Sequence, residues 1–217
     1  MIKLVIFDLD GTLVNAYPAV TKSVNHTLKA MGFAPRSRLE VKRSVGGGDR
    51  KLMAHFVGEK SVPEAIAIYR PHHAKALRQK GGVTLMPGAE GVLKFLKARG
   101  CKLAIASNRP TKFTRIILKE SGILKFFDAV LCADRVSRPK PHPDILWTIA
   151  RRLRFELSEV LYVGDMTIDV LCARQAGVMM AAVSTGSSHK KELKALKPLC
   201  VIGRIIQLRK LFQEVLN

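Results

Sequence analysis

One segment near the start of this 217-residue chain sets its architecture: Leu4-Val5-Ile6-Phe7-Asp8-Leu9-Asp10-Gly11-Thr12-Leu13. Its first four residues form an apolar run, as expected of a strand that is buried on both faces of a parallel sheet. Because side chains repeat every second residue along a strand, Asp8 and Asp10 can both point toward its carboxyl end. Gly11 lets the chain turn sharply, and Thr12 adds a hydroxyl group there. Two carboxylates this close repel each other, so the pattern calls for a cation or for a proton on one of them.

The second half of the chain alternates short apolar runs with helical spacing. Helical stretches cover residues 88–99, 144–154 and 167–176, and another begins at Thr111. This alternation predicts an α/β fold, a Rossmann-like doubly wound parallel sheet with helices on both faces. Ligands in such folds bind beyond the carboxyl ends of the strands. The later apolar runs that we interpret as strands are Leu103–Ala106, Ala129–Cys132, Val160–Val163, Val178–Val183 and a short sixth run, Val201-Ile202.

Residues 15 to 82 carry no strand pattern. Asp49 is a suitable N-cap for one helix, Pro63 opens another, and Gly81-Gly82 stops it. An apolar stripe at helical spacing marks the first helix of this region, at Ala19, Val20, Val24, Leu28 and Met31. We therefore predict a small inserted α-helical cap domain at residues 15–84, within a core made of residues 1–14 and 85–217.

The net charge of the chain is unusual, although its composition is that of an ordinary globular protein. Lys+Arg total 37 against 17 Asp+Glu, which gives a formal charge of +20. Such a field can attract nucleic acid, a membrane surface or anionic metabolites, and steering of an anionic substrate is one hypothesis for it. The basic residues are scattered through the predicted helices and aromatic residues make up only 6%. Nucleic acid is therefore not expected as the main partner.

The cysteine pattern predicts free thiols and a cytoplasmic protein. No CxxC pair and no Cys/His metal-binding spacing occurs among the four cysteines, which are Cys101, Cys132, Cys172 and Cys200. Buried free thiols fit a reducing compartment. Asp8 and Asp10 interrupt the N-terminal apolar run, so we do not interpret it as a signal peptide. No apolar segment is long enough to span a bilayer, and no membrane association is expected.

Three further groups of polar residues follow predicted strands or lie in a stiff loop. Ser107-Asn108 follows one strand, and Gly164-Asp165 follows another, with Asp169 four residues after Asp165. If a helix begins near Met166, the two aspartates lie on one face of its first turn. Together with Asp8 they make an all-oxygen acidic cluster, which suits Mg2+. Lys140 lies in a loop that three prolines stiffen, at Pro139, Pro141 and Pro143.

Asp8-Leu9-Asp10-Gly11-Thr12, followed in order by these three groups, resembles the signature of the haloacid dehalogenase superfamily of phosphohydrolases. The most similar subgroup is that of phosphoglycolate phosphatase and beta-phosphoglucomutase-like enzymes, which have a small helical cap after the first strand. The resemblance implies Mg2+ as cofactor, with Asp165 as a direct ligand and Asp169 acting through water or from a second layer. It also implies that Asp10 offers its backbone carbonyl to the metal, which leaves its carboxylate free.

The same residues suit the hydrolysis of a phosphate monoester. Asp8 is the expected nucleophile, through an aspartyl-phosphate, and Asp10 is the expected general acid and base. The Ser107 hydroxyl, with the backbone N–H groups of Asn108 and Arg109, is expected to hold phosphate oxygens. Thr12 is also expected to contact substrate. Lys140 is expected to neutralise the phosphate and the charge on Asp8.

Two positions depart from the family pattern, and the cap is the least informative region. Met166 stands where the family usually has Ser or Thr, and Asn15 stands where it often has Asp. The segment Gly46-Gly47-Gly48-Asp49-Arg50 resembles the cap loop that reaches toward the active site. We expect Gly47 and Arg50 to contact substrate there. The alternative is an ordinary interhelix turn with a solvated arginine.

These observations predict a cytoplasmic, Mg2+-dependent phosphatase of a small phosphorylated metabolite, similar to phosphoglycolate phosphatase, acting as a monomer or homodimer. A phosphosugar mutase would share every core residue, and pyrophosphate is a further possible substrate. Dehalogenation is disfavoured, because Asp10 supplies the acid/base that phosphoryl transfer requires. Outside enzymology, the alternative is a basic nucleic-acid-binding protein on the same fold, against which the acidic cluster argues because it would repel a phosphate backbone.

Overall fold

A computed structural model describes residues 1–214, which contain a six-stranded sheet and a separate two-stranded ribbon. The strands are β1 Leu4–Phe7, β2 Val14–Asn15, β3 Thr84–Leu85, β4 Lys102–Ser107, β5 Ala129–Cys132, β6 Val160–Gly164, β7 Met179–Val183 and β8 Cys200–Ile202. The large sheet has the order β5-β4-β1-β6-β7-β8, and all of its neighbouring strands are parallel. β1 therefore lies inside the sheet, between β4 and β6.

Ten α-helices surround and extend this sheet within the described residues. They are α1 Tyr17–Ala30, α2 Arg38–Ser44, α3 Asp49–Val57, α4 Val62–Arg78, α5 Ala89–Ala98, α6 Thr111–Glu120, α7 Asp144–Leu153, α8 Thr167–Ala176, α9 Lys190–Ala195 and α10 Leu208–Glu214. Val5 and Phe7 of β1 belong to one buried apolar cluster, whereas Leu4 and Ile6 belong to another on the opposite face. Because both faces of the strand are buried, its side chains are apolar without alternation. The predicted α/β fold is confirmed.

Helices α1 to α4 form what we call the helical insert, residues 17–78. They share a third apolar cluster, which includes Val24 and Leu28 of α1, Met53 of α3 and Tyr69 of α4. Asp49 is the first residue of α3 and not its N-cap, which is Gly48. The Asp49 carboxylate instead accepts hydrogen bonds from Arg70 of α4, so it joins two helices of the insert.

The two-stranded ribbon joins the insert to the sheet. Val14 of β2 pairs with Leu85 of β3, and Asn15 pairs with Thr84, in antiparallel register. No sequence pattern marks these strands, because two residues are too few to show a period of two. The ribbon lies where the chain leaves and re-enters the sheet domain. The residue boundaries of core and cap, at 14/15 and 84/85, stay a prediction.

The parallel sheet brings three polar segments to one edge. The chain runs from β1 into Asp8, from β4 into Asn108 and from β6 into Asp165, and these three strands are neighbours. Their carboxyl ends therefore meet, as expected for a ligand site in a doubly wound sheet. Within residues 1–214, none of the helices has both the length and the apolar character needed to cross a membrane.

Candidate active site

Three buried carboxylates meet at the carboxyl edge of the sheet. Asp8, Asp165 and Asp169 each place one carboxylate oxygen within 4.8 Å of those of the other two. Asp165 and Asp169 are fully buried, and Asp8 is 7% exposed. Carboxylate oxygens in a compact group are the donor set that a hard divalent cation prefers. The donor chemistry of the cluster therefore fits such a cation.

The loop after β7 contacts the Asp165 carboxylate. Asp165 accepts hydrogen bonds from the Thr12 hydroxyl (3.0 Å) and from the backbone N–H of Ser187 (2.9 Å). Gly186 approaches the same carboxylate so closely that a Cβ atom at this position would overlap it. This loop was missed by our reading of the sequence, in which a Thr-Gly-Ser segment is an ordinary turn pattern. The Thr12 hydroxyl thus orients Asp165 within the protein, and the expected contact of Thr12 with substrate stays a prediction.

Lys140 neutralises part of this acidic cluster. Its ammonium nitrogen lies 2.7 Å from an oxygen of Asp8 and 2.7 Å from an oxygen of Asp169. It also lies 2.9 Å from the Tyr162 hydroxyl and 3.1 Å from the Ala106 carbonyl. The side chain is only 2% exposed. A cation held by four oxygens in a buried site has a fixed position, which suits stabilisation of charge on a bound anion.

Burial and mutual repulsion change the protonation of the cluster. Burial raises the pKa of Asp8 to about 7, against the lowering effect of Lys140. Burial, together with the charges of Asp8 and Asp169, holds the pKa of Asp165 well above its usual range. For Lys140, burial acts to lower the pKa, but the two neighbouring carboxylates outweigh it and raise the pKa. Without a cation, the cluster therefore retains protons near neutral pH that a divalent cation would displace.

Asp169 serves mainly to hold its neighbours. One of its oxygens accepts hydrogen bonds from Lys140 and from the Tyr162 hydroxyl (2.8 Å). The other accepts from the backbone N–H of Met166 (3.0 Å) at the start of α8. Both oxygens thus have protein donors, which is consistent with an indirect role of Asp169 toward a cation.

Asn108 links the lysine loop to the helical insert. Its side-chain amide nitrogen donates to the carbonyls of Lys140 and Gly46, both at 2.9 Å, and its oxygen accepts from the backbone N–H of Lys140 at 3.0 Å. The side chain is therefore used within the protein. The role predicted for Asn108 concerns its backbone N–H, and it stays a prediction, as does that of Ser107. The Ser107 hydroxyl accepts a hydrogen bond from the Arg109 N–H (3.2 Å).

The Asp10 carboxylate is separate from the acidic cluster and pairs with Arg109. Both Nε and Nη2 of Arg109 lie 2.8 Å from Oδ2 of Asp10. In the sequence analysis we considered only the backbone of Arg109. In a chain with 37 lysines and arginines, nothing in the sequence singles out its side chain. The structure makes it the arginine of the site.

A cavity of about 60 Å³ lies between the carboxylates and the helical insert. That is room for about four to six water-sized groups. Gly46 and Gly48 line it, whereas Gly47 and Arg50 are exposed and are not among its lining residues. Contacts of Gly47 and Arg50 with substrate stay predictions. The cavity is also lined by apolar and aromatic side chains, which are Val20, Val45, Leu52, Tyr69, Phe113 and Ile168.

Comparison with known proteins assigns the family. The haloacid dehalogenase-like hydrolase model matches residues 5–183, which include Asp8, Lys140 and Asp169. The chain belongs to the haloacid dehalogenase-like hydrolase family. The enzyme class expected from the resemblance, a phosphatase of this family, is confirmed.

The relatives of this hydrolase cover nearly all of its length. Phosphoglycolate phosphatase 1 of Pseudomonas aeruginosa is 30% identical over 94% of this chain and 77% of the relative. Phosphoglycolate phosphatase of Pseudomonas savastanoi pv. phaseolicola is 32% identical over 99% of this chain and 80% of the relative. A crystal structure described as that of a predicted phosphoglycolate phosphatase from Haemophilus somnus has a TM-score of 0.92 at 27% identity, with 98% of both chains covered.

The departure of this hydrolase from the family pattern at Met166 has a structural counterpart. The Met166 side chain lines the cavity and lies so close to Gly46 that a side chain at position 46 would overlap it. Met166 therefore provides an apolar contact between the sheet domain and the loop of the helical insert, in place of a hydroxyl group.

Replacing Lys140 by Met will destabilise the hydrolase, because it leaves two buried carboxylates without their cation. We expect Lys140→Met to lower the free energy of unfolding by about 3–5 kcal/mol at pH 8, measured by urea denaturation without divalent cations. The loss will shrink at pH 5, because Asp8, whose pKa is raised to about 7, then carries a proton and no longer needs the ammonium group. Lys102→Met is the matched control: Lys102 is 52% exposed in its pair with Asp128, and we expect less than about 1 kcal/mol. An equal loss at both pH values would contradict this account.

The close approach of Gly186 to Asp165 predicts that this position tolerates no side chain. We expect Gly186→Ala to lower the free energy of unfolding by about 1–3 kcal/mol through overpacking, in the same urea assay. Gly91→Ala is the control, because Gly91 lies in α5 with no atom within 4 Å of an added Cβ. It should stabilise the protein by about 0.5–1 kcal/mol. A neutral Gly186→Ala would show that the loop can move away from Asp165.

Proposed function

We propose that this hydrolase is a Mg2+-dependent phosphatase of a small phosphorylated metabolite, similar to phosphoglycolate phosphatase, which acts through an aspartyl-phosphate on Asp8. The observation that carries the proposal is the position of Lys140, whose ammonium group lies 2.7 Å from Asp8 inside a buried acidic cluster. This arrangement places a fixed positive charge beside the expected nucleophile, as the transfer of a phosphoryl group requires.

Mg2+ is the proposed cofactor, and the donor set supports it. Asp8 and Asp165 would hold the ion with their carboxylates, Asp10 with its backbone carbonyl, and Asp169 from behind. Bound there, the ion would offset the negative charge of the phosphoryl group. Mg2+ prefers oxygen ligands and is commonly held by one or two carboxylates together with substrate phosphate.

The reaction needs two transfers, and the chain's own residues supply the groups for both. In the first, an oxygen of Asp8 forms a bond to phosphorus while the bond to the leaving oxygen breaks, and Asp10 gives that oxygen a proton. In the second, Asp10 takes a proton from water, whose oxygen attacks phosphorus. The bond to Asp8 breaks, which releases inorganic phosphate and restores the carboxylate. Lys140 neutralises charge in both transfers.

The size of the cavity supports a small substrate. About 60 Å³ under the helical insert holds only a few atoms beyond a phosphoryl group. The named relatives include phosphoglycolate phosphatases, and a two-carbon acid is of suitable size. The four cysteines are free, which supports the expectation of a reducing, cytoplasmic environment.

Phosphate release will identify the reaction. We expect Mg2+-dependent release from phosphoglycolate in a panel that also contains hexose 1- and 6-phosphates, nucleoside monophosphates and pyrophosphate. EDTA should abolish it, and Asp8→Asn should lower it by roughly a thousandfold or more. Glu120→Gln, which makes the same acid-to-amide change on the exposed end of α6, is the control and should leave it unchanged. Isomerised sugar phosphate without phosphate release would indicate a phosphosugar mutase and contradict the proposal.

Stabilisation by Mg2+ should depend on pH. The pKa values of Asp8 and Asp165 are raised, so these groups hold protons at low pH that Mg2+ must displace, and binding is favoured as pH rises. We expect 5 mM Mg2+ to raise the melting temperature more at pH 8 than at pH 5.5. Asp165→Asn should lose this rise, and Glu120→Gln should keep it. A rise of equal size at both pH values would argue against binding at this cluster.

A further inference from the structure

Arg109 connects the expected acid/base to the helical insert. It follows β4 in the same turn as Ser107, and its side chain is 13% exposed. On one side, Nε and Nη2 lie 2.8 Å from Oδ2 of Asp10. On the other side, Nη1 lies 2.8 Å from Nε2 of His73 in α4. One guanidinium group thus bridges the two parts of the molecule across the cavity.

The two oxygens of the Asp10 carboxylate are not equivalent. Oδ2 accepts both bonds from Arg109, whereas Oδ1 is buried and has no hydrogen-bond partner within residues 1–214. A planar guanidinium with two N–H groups on one oxygen restrains the rotation of a carboxylate, which a single ammonium group cannot do as well. With Oδ2 occupied by two donors, Oδ1 is the oxygen left to exchange a proton.

His73 is held in the neutral tautomer that can accept a hydrogen bond from Arg109. Burial, with the positive charge of Arg109, lowers the pKa of His73 to about 2, so the ring is neutral. The Ser23 hydroxyl donates its proton to the Ala19 carbonyl (2.7 Å), so its oxygen accepts from Nδ1 of His73 (3.2 Å). Nδ1 therefore carries the ring proton and Nε2 is free to accept from Arg109.

The His73 ring is also fixed by packing. It stacks on Tyr69 with ring centres 4.8 Å apart and meets the edge of Phe113, of α6, at 5.0 Å. His73 lies on the helical insert, whereas Arg109 and Asp10 lie in the sheet domain. The hold on Arg109 therefore requires the insert to be in place over the cavity.

We propose that Arg109 is a positioning residue for Asp10: it fixes Oδ2 so that Oδ1 exchanges the proton with the leaving group and with water, and His73 makes this hold depend on the seated insert. The inference rests on the acid/base role of Asp10 in the proposed function. The steps of the reaction are unchanged, because Arg109 acts through Asp10 and transfers no proton itself.

The test compares substrates that differ in their need for a proton on the leaving group. Phosphoglycolate and ethyl phosphate release alkoxides that need one, whereas acetyl phosphate releases acetate, which needs none. For each, kcat/KM reports the transfer to Asp8. We expect Arg109→Met to lower kcat/KM by roughly a hundredfold for both alkyl phosphates and by less than about tenfold for acetyl phosphate. Asp10→Asn should show the same order of substrates with a larger loss.

Three variants separate positioning from folding and from net charge. Arg109→Lys keeps the buried positive charge, so it should fold. Its kcat/KM should again fall more for the alkyl phosphates than for acetyl phosphate, but by less than in Arg109→Met. His73→Phe keeps an aromatic ring beside Tyr69 but removes the nitrogen that accepts from Arg109. Its kcat/KM should also fall more for the alkyl phosphates than for acetyl phosphate. Arg115→Met removes one positive charge from an exposed site on α6 and should leave all three values unchanged. Thermal unfolding of each variant shows whether it is folded.

Other outcomes overturn the assignment. Equal losses for all three substrates in Arg109→Lys would mean that the residue is only structural. A loss for phosphoglycolate without one for ethyl phosphate would mean that Arg109 binds the substrate carboxylate. A wild-type protein inactive on all three would overturn the proposed function itself, and with it this inference, before any variant is made.

Discussion

The site depends on the balance of one buried ammonium group against several buried carboxylates. Removing Asp8, Asp165 and Asp169 from water is costly, and their mutual repulsion adds to that cost. Lys140 offsets part of it by lying 2.7 Å from two of them. The remaining cost raises the pKa values of Asp8 and Asp165, so these carboxyl groups hold protons that a divalent cation would have to displace. A divalent cation bound among these carboxylates would offset the same repulsion.

The turn after β4 connects the polar groups of the site to the helical insert. Asn108 joins the lysine loop to Gly46 of the insert, and the next residue, Arg109, joins Asp10 to His73. The same short segment therefore contacts the lysine loop, Asp10 and the insert. The insert contacts this segment at Gly46 and at His73, so the contacts around Asp10 depend on the position of the insert.

The sequence predicted the structure of the large sheet more fully than that of the insert and its ribbon. The apolar run of β1 and the aspartates after it predicted a buried strand. A strand that is buried on both faces consists of consecutive apolar residues, which can be seen in the sequence alone. The strands β2 and β3 left no such pattern, since each has two residues. Asp49 was predicted to cap a helix and instead pairs with Arg70, because a charged partner 21 residues away competes with the local backbone. The predicted roles of Gly47 and Arg50 stay open, and both residues are exposed.

The sequence by itself determined the α/β class, the family and the identity of the acidic cluster, since these depend on residue types next to predicted strand ends. Only the tertiary structure decided how those groups are used. Thr12 and Asn108 turned inward to hold Asp165 and Lys140, and Arg109 was selected from 37 lysines and arginines as the partner of Asp10. These hydrogen bonds join residues that are far apart in the chain. They form only when the fold brings the two partners to about 3 Å from each other, and no local pattern of residues predicts that approach.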